Sequence, residues 1–86
     1  MIDEVWNRII KYDGQEFTQI RGQKFTYKVA GNSLVLSTTN HAISRRTLEK
    51  AFQFVPLENT VPIQNLFAPS YLFALLNDER IRQGEW

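Results

Sequence analysis

Apolar residues first fall on a helical period. Ile2, Val5, Trp6, Ile9 and Ile10 share one stripe of a helix. Asp3 and Glu4 stand in the first turn of that segment and Arg8 and Lys11 near its end, an order that complements the helix dipole. Gly14 supplies a left-handed stop, so the helix is expected to end near Tyr12 or Asp13.

The period then changes to two. In Lys24-Phe25-Thr26-Tyr27-Lys28-Val29 every second side chain is apolar, the mark of a half-buried strand. Glu16–Ile20 precedes it across the turn residues Arg21-Gly22-Gln23, and Ser33–Ser37 follows it across Gly31-Asn32, a two-residue turn signal with glycine first. Residues 16–37 therefore read as a three-stranded antiparallel meander, which needs a layer on one face.

Helices provide that layer. Thr38–Ala42 reads as a polar connection, and Ser44 is a good N-cap with Ile43 before it and Leu48 four positions inside, the spacing of a hydrophobic staple. Leu48, Ala51, Phe52 and Val55 form the inward stripe of this second helix, which Pro56 terminates. Residues 57–68 show no clear period and read as a loop, with one short turn around Ile63 to Phe67. A third helix starts at Pro69 or Ser70 and runs to about Asn77. Its run Tyr71–Leu76 is apolar around most of the circumference, as befits a central helix or one that meets a partner. Residues 82–86 read as a frayed tail. The expected fold is thus a single α+β domain over residues 1–86: an N-terminal helix, a three-stranded antiparallel β-meander, then two helices, with the helices on one sheet face.

Length and composition narrow the function classes. Eighty-six residues hold one domain, and 43% hydrophobic with 13% aromatic content is enough for a packed core. The absence of cysteine removes disulfides, thiolate metal sites and a cysteine nucleophile. No apolar run reaches the roughly 18–20 residues of a membrane span, and the first residues carry acids where a signal peptide needs a basic region, so a cytoplasmic protein is expected.

The net charge of +1 conceals an uneven distribution. Between Ile20 and Lys50, Arg21, Lys24, Lys28, Arg45, Arg46 and Lys50 face Glu49 alone, and acids are in excess on both flanks. A locally basic centre suits an anion-binding surface. Catalytic chemistry finds no footing. The single histidine, His41, cannot build a multi-histidine metal site, the adjacent acids Asp3-Glu4 and Asp78-Glu79 do not face each other on a helix, and Gly14, Gly22 and Gly31 each mark a turn rather than a phosphate loop. No enzyme, cofactor or small-molecule substrate is expected.

Two binding readings follow. The first is a nucleic-acid-binding module using Arg21, Lys24, Lys28, Arg45, Arg46 and Lys50 on phosphates, with Gln53 beside them on the second helix. Ile43–Leu48 is similar to the start of a helix-turn-helix recognition helix, but that motif needs a helix before its turn and this chain offers a strand and a polar loop. The second is a protein-interaction or self-association module using the third helix and the C-terminal aromatics, with Tyr71, Phe73 and Trp86 as contacts.

Overall fold

The computed structural model describes residues 2–86. Helix α1 (Ile2–Lys11) buries Val5, Trp6 and Ile9, while Ile10, at the edge of the apolar stripe, remains 45% exposed. Gly14 adopts the expected positive φ. The chain then forms strands β1 (Phe17–Thr18), β2 (Lys24–Phe25), β3 (Tyr27–Ala30), β4 (Ser33–Leu36) and β5 (Ala42–Ser44) before entering helix α2 (Arg45–Phe52). A short 3-10 turn, Val61–Ile63, leads to helices α3 (Pro69–Asn77) and α4 (Glu79–Arg82).

The α+β arrangement expected from the pattern is present, with two differences in the strands. The long strand is interrupted at Thr26, whose N–H donates to the Ser37 hydroxyl at 2.9 Å while its carbonyl accepts from the Ser37 N–H at 2.9 Å. A side chain replaces one rung of backbone pairing, so β1–β2 and β3–β4–β5 form separate antiparallel ladders. The alternation of side chains nonetheless passes through the break, with Phe25 and Tyr27 both buried. β1 and its preceding loop flank the edge of the long strand away from β4: the Tyr27 carbonyl accepts from Gly14 N–H at 2.9 Å, and the Asp13 carboxylate accepts from Val29 N–H at 3.0 Å. The second difference is β5, which occupies part of the expected polar connection and pairs with β4 through Leu34↔Ile43 and Val35↔Ala42.

The core lies between the inward sheet face and the helices. Tyr27, Leu34, Leu36 and Ile43 meet Val5, Ile9, Leu48, Leu72, Leu75 and Ile81, all at most 3% exposed. Tyr27 places a polar group deep in the core, and its hydroxyl donates to the Ile9 carbonyl at 2.6 Å. Burial, aided by the Asp13 carboxylate, pushes that hydroxyl well above its ordinary range, so it stays protonated and acts as a donor.

Ser44 caps α2 as its sequence context predicts: its hydroxyl accepts from Thr47 N–H at 3.1 Å, with Ile43 and Leu48 both fully buried beside it. α3 starts at Pro69 and buries Leu72, Ala74, Leu75 and Leu76, which accounts for its nearly all-round apolar character. Asp78 ends α3 and caps α4, accepting from Arg80 N–H at 2.9 Å.

The last residues are not loose. Trp86 Nε1–H donates to the Leu76 carbonyl at 2.7 Å, its ring stands edge-on to Phe52 at 5.1 Å, and Arg82 reaches the Trp86 carbonyl. The tail expected to fray is held because a large aromatic finds both an apolar wall and an acceptor for its one polar atom. Arg8 adds a fork onto Glu85, at 2.9 and 2.5 Å, and donates to the Ile81 carbonyl at 2.9 Å.

Candidate nucleic-acid interface

Register decides which side chains share the outer face of the three-stranded sheet. The inward set is Tyr27, Val29, Leu34, Leu36 and Ile43, so the outward set is Lys28, Ala30, Ser33, Val35, Ala42 and Ser44. No carboxylate occupies any of these outward positions. Lys28, Val35 and Ala42 form one row across the strands, and Ala30, Ser33 and Ser44 the next. Apart from Lys28 and Val35 the residues are small, which lets an extended polymer approach the backbone closely.

Helix α2 rises from the end of this face. Ser44, Arg45 and Arg46 border a shallow depression of about 490 Å³ with Asn32 and Glu49, and the Arg45 N–H donates to the Asn32 carbonyl at 2.7 Å. The β3–β4 turn, where Gly31 takes φ +60, is thereby fixed against the first turn of α2. Ser44 lies two strands across and one pair along from Lys28, about 12 Å by strand spacing. Arg46 is exposed, and Lys50, one helical turn later, continues the same side of α2. Beyond Lys28, along the long strand in the other direction, Lys24 follows at the same parity and Arg21 stands at the β1–β2 turn.

The six cations of the basic segment divide by their neighbours. Arg45 is engaged: it pairs with Asp3 of α1, bonds Glu49 one turn along α2 at 3.3 Å, and stands over the Trp6 ring at 6.0 Å. Lys24 has Glu16 at 3.5 Å, with both side chains mostly exposed. Arg21, Lys28, Arg46 and Lys50 make no ion pair among the described residues. Gln53 turns back on its helix, reaching the Glu49 carbonyl at 3.5 Å. The sequence treats Arg45 and Arg46 alike, but the structure gives Arg45 an α1–α2 joining role and leaves Arg46 open. Val35, 40% exposed at the centre of the face, lies between the inward Leu34 and Leu36, and the two-residue period of that strand is the sequence signal that turns it outward.

The aromatic candidates are dispersed and half-buried. Tyr71 meets Phe25 edge-on at 4.9 Å, and its hydroxyl shares a 2.5 Å hydrogen bond with Thr38. Phe73 packs against the core, and Trp86 against Phe52. The most exposed large apolar side chains are others, Ile20 at 74% and Val61 at 63%. His41 stands edge-on to Phe67 at 5.3 Å, and among the described residues no group of three or more metal-ligating side chains gathers. Among the described residues no helix is long and apolar enough to cross a membrane. Comparison with family models, curated proteins and solved structures returns no match for this chain.

Proposed function

We propose that this protein is a non-catalytic, cytoplasmic binding module that contacts nucleic-acid phosphates through the outer sheet face and the exposed side of α2. The observation that carries this reading is the carboxylate-free outer face of β3–β5, bordered by Lys28, Arg46, Lys50 and Arg21, which make no ion pair among the described residues. Lys28, Arg46, Lys50 and Arg21 supply the principal contacts, and Lys24 joins them by releasing Glu16, since an exposed pair of this kind is worth only about 0–1 kcal/mol. Arg45 holds α1 to α2 and contributes to the interface by fixing the helix that bears Arg46 and Lys50. A partner-protein reading through Tyr71, Phe73 and Trp86 draws less support, because the three are dispersed and half-buried, and the Tyr71 hydroxyl and the Trp86 ring and indole N–H are used within the fold.

A salt titration of binding to generic single- and double-stranded oligonucleotides tests the proposal. Each neutralised phosphate contributes about 0.7–0.9 to the slope of log K against log salt. Replacing Arg46 and Lys50 together by alanine should flatten the slope by about 1.4–1.8. An unchanged slope removes α2 from the interface, and no binding to either polymer at low salt rejects the whole reading.

A further inference from the structure

A second place where polar groups converge lies beside the β1–β2 turn. Gln19 is only 9% exposed, yet its side chain makes no hydrogen bond among the described residues; only its backbone is used, the N–H donating to the Gln23 carbonyl at 2.8 Å and the carbonyl accepting from Gly22 N–H at 2.8 Å to close the turn. No side-chain nitrogen or oxygen among the described residues is both sealed from solvent and unpartnered, so the Gln19 carboxamide must reach the open space it lines. That space is two clefts of about 330 and 490 Å³ that share Gln19 and Gln23. Thr60 and Ser70 add hydroxyls to the first, with Arg21 at its margin; Lys24 and the Tyr71 ring line the second. No carboxylate lines either cleft.

The cleft is open to water, which satisfies the Gln19 carboxamide, and a ligand edge with a donor beside an acceptor would take that water's place. The edge of an unpaired base presents such a pair, in adenine and uracil alike, and glutamine meets it with both atoms of its amide. Unpaired bases are recognised in this manner, by hydrogen bonds to their edges and by stacking on aromatic side chains, while flanking cations hold the backbone. We propose that the Gln19 cleft receives one unpaired nucleobase of a single strand, with Gln19 on its edge, Tyr71 forming the aromatic wall, and Arg21 and Lys24 on the adjoining phosphates. This rests on the nucleic-acid reading above and adds a base-binding site to it.

The test follows the Gln19 side-chain amide by NMR in the ¹⁵N-labelled protein during titration with octa-adenylate, octa-uridylate and an abasic octamer of the same backbone. The Gln19 amide is expected to shift with octa-adenylate, which should bind about tenfold more tightly than the abasic chain. Gln19→Met, which keeps the side-chain length, should lower octa-adenylate affinity about fivefold, toward that of the abasic chain, while leaving the salt slope intact. The wild-type amide shift needs no variant, so the test stands even if that substitution unfolds the protein. Equal affinity for all three octamers with an unmoved Gln19 amide overturns the cleft proposal and leaves the phosphate-binding face standing. Failure of every octamer to bind at low salt overturns both.

Discussion

The two sides of this small protein use the same residue types to opposite ends. Where α1, α4 and the last residues meet, every arginine is occupied: Arg8 forks onto Glu85 and caps the Ile81 carbonyl, while Arg80 bonds Asp78, the Glu16 carbonyl and the face of Phe17 at 3.9 Å. Across the molecule, the outer face of the three-stranded sheet carries Lys28, which like Arg46 and Lys50 on α2 makes no ion pair among the described residues. The difference is one of neighbours. Carboxylates and carbonyls surround the first set, whereas Lys28 stands among small neutral side chains, and Glu49, the acid beside Arg46, is bonded to Arg45. A cation with its hydrogen bonds satisfied inside the fold contributes to stability, and one left to water remains available to a polyanion.

The comparison breaks most visibly at Trp86. Replacing it with alanine removes the 2.7 Å bond to Leu76 and the edge-on contact with Phe52, and should cost about 2–3 kcal/mol, below the range for a fully buried tryptophan because this ring is only half-buried. Urea denaturation reads it directly. A loss below about 0.5 kcal/mol, the scale of ordinary surface substitutions, would mean that the closed side holds together without its aromatic anchor.

Arg80→Ala comes next, at about 1–2 kcal/mol, since it removes a cation–π contact and several hydrogen bonds from a site about a third exposed. Its pH dependence has a definite sign. Burial pushes the Asp78 carboxyl up, but hydrogen bonds from the Arg80 side chain and backbone, together with its charge, outweigh this and hold Asp78 below its ordinary range. A carboxyl depressed by folding stabilises fully above its unfolded pKa, near 4, and loses that contribution as pH falls through the lower folded value. Wild type and Arg80→Ala should therefore differ most near neutral pH and converge below about pH 4. Stability curves that run parallel down to pH 2 would remove Asp78 as the cause.

How much of this was legible in the sequence depends on how local each determinant is. The α2 cap was readable because Ser44, Thr47, Ile43 and Leu48 lie within six residues, and the α3 start because Pro69 marks it. β5 was not, since three residues with Ile43 as the only inward side chain carry no period, and their strand character comes from pairing with β4. α4 escaped for the same reason: its four residues are defined by the Asp78 cap and by the burial of Ile81. Trp86 could not be placed because its acceptor and its aromatic neighbour lie 10 and 34 residues away along the chain. The basic segment was found as a composition, but which of its cations stay open was fixed by partners such as Asp3, 42 residues from Arg45.

That last point gives the finest test, on two adjacent arginines. Arg45→Ala releases Asp3, Glu49 and the Trp6 ring, and should lower stability by about 0.5–1 kcal/mol, the pairs being partly exposed. Arg46→Ala should leave stability within about 0.5 kcal/mol while reducing the salt slope of oligonucleotide binding by about 0.7–0.9. Arg45→Ala should leave that slope nearly unchanged. Measuring both quantities on both variants separates structure from interface at neighbouring positions, because each substitution removes one positive charge and net charge cannot account for a difference between them. If the two variants lose slope equally, availability is not set by the ion pairs seen in the fold, and Arg45 must let go of Asp3 when the polymer binds.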